Sequence, residues 1–497
     1  MTKKIKERST AHEAQLRYQA LPRAIMGGTV AMRAAGRDYL PQWAGEKDSA
    51  YEKRLEGAVL VNYLSRTIDY LAGQVFQKEV DFQSADKPGG RPYKEDFFNA
   101  FKEDVDLAGD SLNVFAQEIF QNGLVDGISF ILVDYSRVNT RTDESGQLLY
   151  ESGPGEWSPK TQASDRAMNL RPYFVQIKAG QVLDAWLSVE NGRQVLKHFR
   201  YEEAAEVADD DKGLERQVVT RVRAWWPDKW EVYEVKGRGE PRLIDSGTNA
   251  LGYIPIYWFR PGQDQGELAA ISPLHDLAEM NRSHWVSYAQ HVGLMSWVRS
   301  PVWMGRKLDD ANGQPLAVGP SSIINVNDPE AGLESVGVDP SSVAASQEDL
   351  KRKEEYMEAY GLQVAFSPTN SVGQMTATQV DAAASASDSQ LKSWCGLLRD
   401  CLENALKAAA DYEGDPDGPS VFVNTAFRAV FDAALLSYSA SQVDKGHRPL
   451  VQHYLLEKSM GLIYDDMSFE DYQKALDEAA LKAPKPTMGG AFGAYQE

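Results

Sequence analysis

The stretch ISPLHDLAEMNRSHWVSYAQH, Ile271 to His291, carries three imidazoles, His275, His284 and His291, beside Asp276, Glu279 and Asn281. Imidazoles and carboxylates are common zinc ligands and common proton carriers in hydrolytic sites. The spacing argues against both roles. The histidines stand nine and seven residues apart, spread over several helical turns, whereas a helical zinc motif needs two histidines at i and i+4 on one face. Leu274, Leu277, Trp285, Tyr288, Val292 and Met295 form an apolar stripe with polar residues on both sides, which suits a helix packed on several neighbours. Neither a metal nor a cofactor is expected.

Other chemical scaffolds are missing from the sequence. There is no GxSxG nucleophile elbow, no GxxxxGK[ST] phosphate loop and no GxGxxG after a strand, so the usual hydrolase, NTPase and dinucleotide frameworks lack their signatures. GGTVAMRAAG, Gly27 to Gly36, is glycine-rich with the wrong spacing. A metal-dependent hydrolase or nuclease with a scattered site is the alternative reading, and it requires a cleft of clustered His, Asp and Glu. RVRAWWPDKW, Arg221 to Trp230, has the composition of a stacking platform for single strands. Its β-rich surroundings favour sheet packing instead.

The chain has 497 residues, too many for one small module, and its 43% hydrophobic and 25% charged residues are ordinary for globular protein. A net charge of −20 repels phosphate, which disfavours tight or sequence-specific DNA binding. It still permits a channel through which duplex slides with weak attraction. Cys395 and Cys401 are the two cysteines and are not spaced as a disulfide framework or zinc knuckle, so a reducing compartment is expected. The N-terminal MTKKIKERSTAHEAQ has no apolar core and no stretch reaches the length of a membrane span. The expectation is a soluble, unexported protein in which the sequon Asn281-Arg282-Ser283 is chance.

These residues are positioned by an alternation of helical and β-rich segments. Leu55, Val59, Tyr63, Thr67, Leu71 and Val75 recur every four residues and predict one amphipathic helix over Tyr51 to Phe76. A helical block from Phe97 to Phe120 leads into the buried-strand run ISFILVDY, an α/β packing unit. Asp143 to Asp165 reads as a solvent loop. YFVQI, VLKHF, VVTRVRAWW, WEVYEV and IPIYWF then predict an antiparallel meander. After the long helix come a β insertion, a helix over Gln347 to Tyr360, the polar loop GLQVAFSPTNSVGQM and a long Ala-rich helix from Thr376 to Tyr412. A strand over Val421 to Phe427 and helices over Val430 to Val443 and Pro449 to Met460 complete the order. The charge runs at Glu52–Glu56 and Glu348–Glu355 are either solvated helix faces or salt-bridged seams of an oligomer.

This order, with RAAGRDYLPQW, RLEGAVLVNYLSRTIDYLAGQVF, VDLAGDSLNVFAQEIFQNGLVDGISFILVDY, RPYFVQI, ISPLHDLAEMNRSHWVSYAQH, SPVWMG and TATQVDAAASASDSQLKSWCGLLRDCLENAL, resembles the portal proteins of tailed bacteriophages. The pieces run over most of the chain, and their number and sequence carry the likeness. The resemblance implies an α+β portal fold assembled as a cyclic ring, usually of twelve copies, at one capsid vertex. Double-stranded DNA would pass through it without sequence specificity during packaging and ejection. It implies no enzymatic activity, and partners comprising the terminase large subunit, a head-tail adaptor, and the major capsid and scaffolding proteins.

By position, the resemblance makes residues 1–50 an N-terminal arm, 51–270 the wing, 271–296 the first stem helix and 297–345 the clip. It makes 346–360 the second stem helix, 361–375 the tunnel loop, 376–412 the long core helix, 413–482 the wing return and a modest helical crown, and 483–497 a flexible tail. Ser367, Thr369, Asn370, Ser371 and Gln374 would face the DNA. Arg299, Arg306 and Lys307 would meet motor, adaptor or DNA at the clip, and Leu277, Trp285, Tyr288 and Val292 would pack the stem. In such a ring the mixed surface of the first stem helix would be shared between two neighbouring copies.

Overall fold

The structure is a computed structural model of the chain. It describes residues 5–425 and Phe427, except 84–89, 139, 144–147, 154–155, 160, 162–163, 165–167, 209–215, 236–238, 300–301, 307–331, 337–338, 366–376 and 416. Met1–Thr425 forms one compact unit and Ala426–Glu497 a second. The helices expected after Phe427, the crown and the tail lie outside the described residues.

The first unit opens with α1 (Thr10–Met26), α2 (Gly28–Ala35), α3 (Asp48–Gly57), α4 (Tyr63–Val75) and β1 (Asp81–Gln83), followed by α5 (Glu95–Glu103) and α6 (Leu112–Asp126). Strands β2 (Ser129–Tyr135), β3 (Thr140–Thr142), β4 (Leu148–Gly153), β5 (Glu156–Pro159), β6 (Pro172–Lys178) and β7 (Val182–Glu190) come next. They are followed by β8 (Arg193–Ala208), β9 (Arg216–Trp225), β10 (Lys229–Val235), β11 (Arg242–Thr248), β12 (Ile256–Phe259), β13 (Gln263–Gly266) and β14 (Ala269–Ile271). The chain then runs through α7 (His275–Arg299), β15 (Val302–Arg306), β16 (Gly332–Val336), α8 (Pro340–Ala365), α9 (Ala377–Tyr412) and β17 (Ser420–Phe422).

The run SFILVDY is apolar without alternation because β2 is covered on both faces. It is the centre of an antiparallel sheet ordered β12-β2-β6. Phe130 and Leu132 join the cluster formed with the larger sheet, Phe130 lying 5.4 Å from Phe199 between ring centres. Opposite Val133, Phe174 turns to the helices, 5.0 Å from Phe101 and 5.6 Å from Phe115. A helical layer, a three-stranded sheet and a five-stranded sheet therefore stack around one core. Each fully buried aromatic in that core contributes about 1.5–3 kcal/mol of transfer free energy.

The five-stranded sheet is the expected meander, ordered β11-β10-β9-β8-β7 with every pair antiparallel. Two of the segments predicted for it are not there. YFVQI and IPIYWF lie in β6 and β12, which flank β2. Their pattern fitted a strand, but a strand's own residues do not specify which sheet it joins. The fold is thus mixed α+β with antiparallel pairing, and the expected helix-strand packing unit is α6 against β2.

Three further expectations are corrected. The helix predicted over Tyr51 to Phe76 is two, α3 and α4, and the buried face of α4 is Leu64, Ile68, Leu71, Ala72 and Val75, not the series through Val59 and Thr67. The break comes where Leu60 N–H donates to Thr29 Oγ1 and Asn62 caps α4 by accepting from Ser65 N–H. The block from Phe97 to Phe120 also divides, into α5 and α6, with Ser111 capping the second. The loop expected over Asp143 to Asp165 contains β4 and β5, paired in a three-stranded sheet with β3, where Arg141 lies 4.4 Å over the Trp157 ring.

Residues 1–50, expected as an arm, contribute α1 and α2, which bury Leu21, Ile25 and Met32. Their start is strapped to the larger sheet: Ser9 N–H donates to Leu183 O, and Arg8 pairs with Glu202 at 2.9 Å.

Candidate functional site

The helix that opened the question of chemistry is α7, and a close backbone junction fixes its base. Gly127 ends α6 in the left-handed conformation, φ 87°. A Cβ there would lie 2.6 Å from the Ile271 carbonyl carbon, so only glycine fits both the backbone angle and the approach. Gly262 N–H donates to Gly127 O at 2.9 Å. Ser272 completes the clamp, donating from Oγ to Leu124 O at 2.6 Å and accepting from Leu274 N–H at 3.0 Å.

From this base α7 runs 25 residues, roughly 37 Å at 1.5 Å per residue. It packs against α1, α3, α4 and α8. Leu277 and Trp285 are fully buried, and Tyr288 and Val292 half-buried. All four residues assigned to stem packing thus pack within the chain itself.

The polar residues of α7 fall on two seams. Asn281, fully buried, caps α4 from outside that helix: its Oδ1 accepts from Tyr63 N–H at 3.0 Å and Leu64 N–H at 3.2 Å, while Nδ2 donates to Val61 O at 2.8 Å. These are helix-terminal groups that have no partner inside α4. The second seam faces α8. His284 Nε2 lies 3.1 Å from Glu354 Oε1, and Ser287 Oγ donates to Asp349 Oδ2 at 3.2 Å. Lys353 donates to Asp349 at 2.8 Å, and His291 Nδ1 meets Ser346 Oγ at 3.0 Å. As the α7 numbers rise the α8 numbers fall, so the helices are antiparallel.

The electrostatics follow from this packing. Burial lowers the His284 pKa from the ordinary imidazole value, with the Glu354 hydrogen bond opposing it. The hydrogen bond from Lys353 lowers that of Asp349. The three histidines do not converge: His275 meets the Tyr18 ring edge-on at 5.6 Å, while His284 and His291 contact different residues of α8. Among the described residues no group of three or more His, Cys, Asp and Glu is placed to hold a metal ion, and no helix is long and apolar enough to cross a membrane.

At the far end, β15 and β16 pair antiparallel from Val302↔Val336 to Arg306↔Gly332. A two-stranded ribbon therefore joins the tips of α7 and α8. Arg299 is exposed in the last turn of α7, and Arg306 ends β15. Lys307 and the loop residues Ser367, Thr369, Asn370, Ser371 and Gln374 lie outside the described residues. The second long helix begins at Pro340 and ends at Ala365, not Gln347 and Tyr360. After residues 366–376, α9 returns to the core, where Leu398, Leu402, Ala405, Leu406 and Ala409 are fully buried and Tyr253 Oη donates to Asp411.

Sequence reasoning missed Asn281, Ser287, Asp349, Lys353 and Glu354 as working residues. The signal was present: 284, 287 and 291 lie at i, i+3 and i+7, one helical face. The run Glu348–Glu355 is in part the solvated face expected of it, and its other side bonds within the chain, a seam to α7 that the sequence pattern places only between copies of an oligomer. Asp349, Lys353 and Glu354 bond to α7, and Glu348, Lys351, Arg352 and Glu355 are exposed. In RAWWPDKW, Trp225 is in the core, Trp226 stacks on His198 and Trp230 carries Arg137 at 3.6 Å, which is sheet packing.

Residues 273–413 match a family described as a domain of unknown function, DUF4055. That span begins just before α7 and ends just after α9. No curated protein matches. Among solved structures, the chain is similar to the neck of a native gene transfer agent particle computed with C12 symmetry, at 9% identity and TM-score 0.37, covering 86% of this chain and 96% of that one. It is similar also to the neck of an empty particle computed with C6 symmetry, at 11% identity and TM-score 0.38, covering 85% and 96%. The virion of the native gene transfer agent particle gives 10% identity, TM-score 0.38 and coverage of 85% and 96%.

Proposed function

We propose that this chain is a structural subunit of the head-tail connector of a tailed-phage-type particle, and specifically its portal, a ring through which DNA enters and leaves the capsid. The observation that carries this reading is the hairpin of α7 and α8. Two antiparallel helices of 25 and 26 residues, each roughly 38 Å long, stand on a rigid α+β base and are capped by a β ribbon. A long helix then returns to the base. Stem, clip and core helix of the portal plan require this order, and the DUF4055 match delimits the same unit.

In this reading residues 51–270 with the first helices form the wing, the ribbon belongs to the clip that docks the terminase large subunit and later the adaptor, and the residues up to 375 that follow α8 belong to the tunnel loop. The net charge of −20 suits a channel that must not hold phosphate tightly. Arg299, Arg306 and Lys307 supply positive charge at the clip. Twelve copies close the ring by heterologous contacts, at the capsid vertex and in contact with major capsid and scaffolding proteins. The chain acts by shape and docking, not by catalysis. Deleting 367–374 is the test of the channel assignment: rings should still form while DNA packaging into particles falls, and unchanged packaging would overturn it.

A further inference from the structure

A groove of about 1100 Å3 lies between the segment around Trp43, helix α3 and the outer end of α7. Its walls include Trp43, Ala50, Lys53, Arg54, Leu294 and Trp297. The two tryptophans are 50% and 59% exposed, a large apolar area to leave in water. Its charge is set by Arg54 and Lys53. Arg54 is buried, donates Nε and Nη2 to Glu46 at 2.9 and 2.7 Å, and lies 4.3 Å over the Trp43 ring. Its Nη1, also buried, has no hydrogen-bond partner. Glu46 neutralises Arg54, so the exposed Lys53 leaves the groove positive.

The outward face of α8 is complementary. It presents Glu348, Lys351, Arg352 and Glu355, with Tyr356, 61% exposed, on its edge, while Glu358 lies on the side near Tyr63 of α4. Lys351 pairs with Glu355 at 3.8 Å and Arg352 with Asp349 at 3.5 Å. Glu348 and Glu358 are left as exposed carboxylates with no cationic partner among the described residues. This face points away from α7, since 346, 349, 353 and 354 are the positions that bond to α7. One flank of the hairpin therefore carries an aromatic, positive groove, and another carries an exposed aromatic, Tyr356, with one unpaired carboxylate, Glu348, about two turns away.

We infer that the groove receives the outward face of α8 from a second copy of this chain, with Tyr356 against Trp43 and Trp297 and Glu348 toward Lys53. A groove on one flank and its complement on another make a heterologous contact, which propagates head to tail and closes when the rotation allows. The inference deepens the ring reading and rests on it for closure.

The test uses the full chain with a benzoylphenylalanine photocrosslinker replacing Trp297, mixed with 15N-labelled chain so that crosslinks between copies are identified by mass. Crosslinks should map to 348–359 of the labelled copy. Lys53→Glu and Glu348→Lys, both exposed, should each weaken self-association about five- to ten-fold, and the double variant should regain it. Rings without that crosslink and without the charge-swap rescue would overturn the pairing and leave the portal reading standing. Crosslinked open filaments would support the pairing and count against the closed ring. A chain that neither assembles nor crosslinks would overturn both.

Discussion

Asn281 shows how one side chain can stabilise an element to which it does not belong. It satisfies two N–H groups and one carbonyl where α4 begins. Replacing it with alanine leaves the buried Leu64 N–H unpaired, while Tyr63 N–H keeps its 3.1 Å bond to Val61 O, at a cost of about 1–3 kcal/mol. The melting temperature of Asn281→Ala should fall by several degrees, and a shift within experimental error would mean that water reaches the α4 terminus. His12 makes a pH-dependent prediction. Burial lowers its pKa from 6.5 to about 4, with Arg8 adding to the effect and Asp184 opposing it. The folded state therefore holds it neutral while the unfolded chain protonates near 6.5. Its contribution is complete above that value and is lost as pH falls toward 4, the loss amounting to about 2 kcal/mol by pH 5. His12→Asn should flatten the fall of melting temperature between pH 7 and 5, and an unchanged slope would contradict the assignment. Neither role was legible in the sequence. Asn281 read as a chance sequon and His12 as part of a charged N-terminal segment, because a residue's partners more than 170 positions away leave no local pattern.

Elements were legible where their pattern was local and long. The helix expected from Ile271 is present from His275, after Ile271 ends β14, and the Ala-rich helix ending at Tyr412 and the buried strand ISFILVDY are present too. The periodicity failed across Gly57 to Asn62, where a four-residue recurrence continued through a chain break made by capping. It also failed at 143–165, where turn-forming residues hid a small sheet. Which strands joined β2 was not legible, since sheet membership is set by tertiary packing. The junction beneath α7 is the most constrained of these features. Gly127→Ala should destabilise the protein by more than 2 kcal/mol, roughly, because strain at positive φ adds to a backbone clash. Gly192→Ala, at φ 76° with open space around it, serves as the control and should cost about 1 kcal/mol. Equal effects in urea unfolding would show that the close approach to Ile271 contributes nothing.

For the whole molecule, charge and architecture point the same way. A chain of net charge −20 whose long helical hairpin stands on an α+β base suits the proposed portal, in which copies would stand side by side and DNA would pass without being gripped. The order of helix, ribbon, helix and long helix among the described residues is readable in the sequence. The in-chain partners of α7 were not, and they account for much of the mixed surface that had been assigned to two neighbouring copies. The measurement that tests the central claim most directly is electron microscopy of the purified full-length protein with its native mass. The account predicts rings with an axial opening, near roughly 660 kDa for twelve copies of 55.2 kDa. A compact monomer or small closed oligomer without an opening would contradict it.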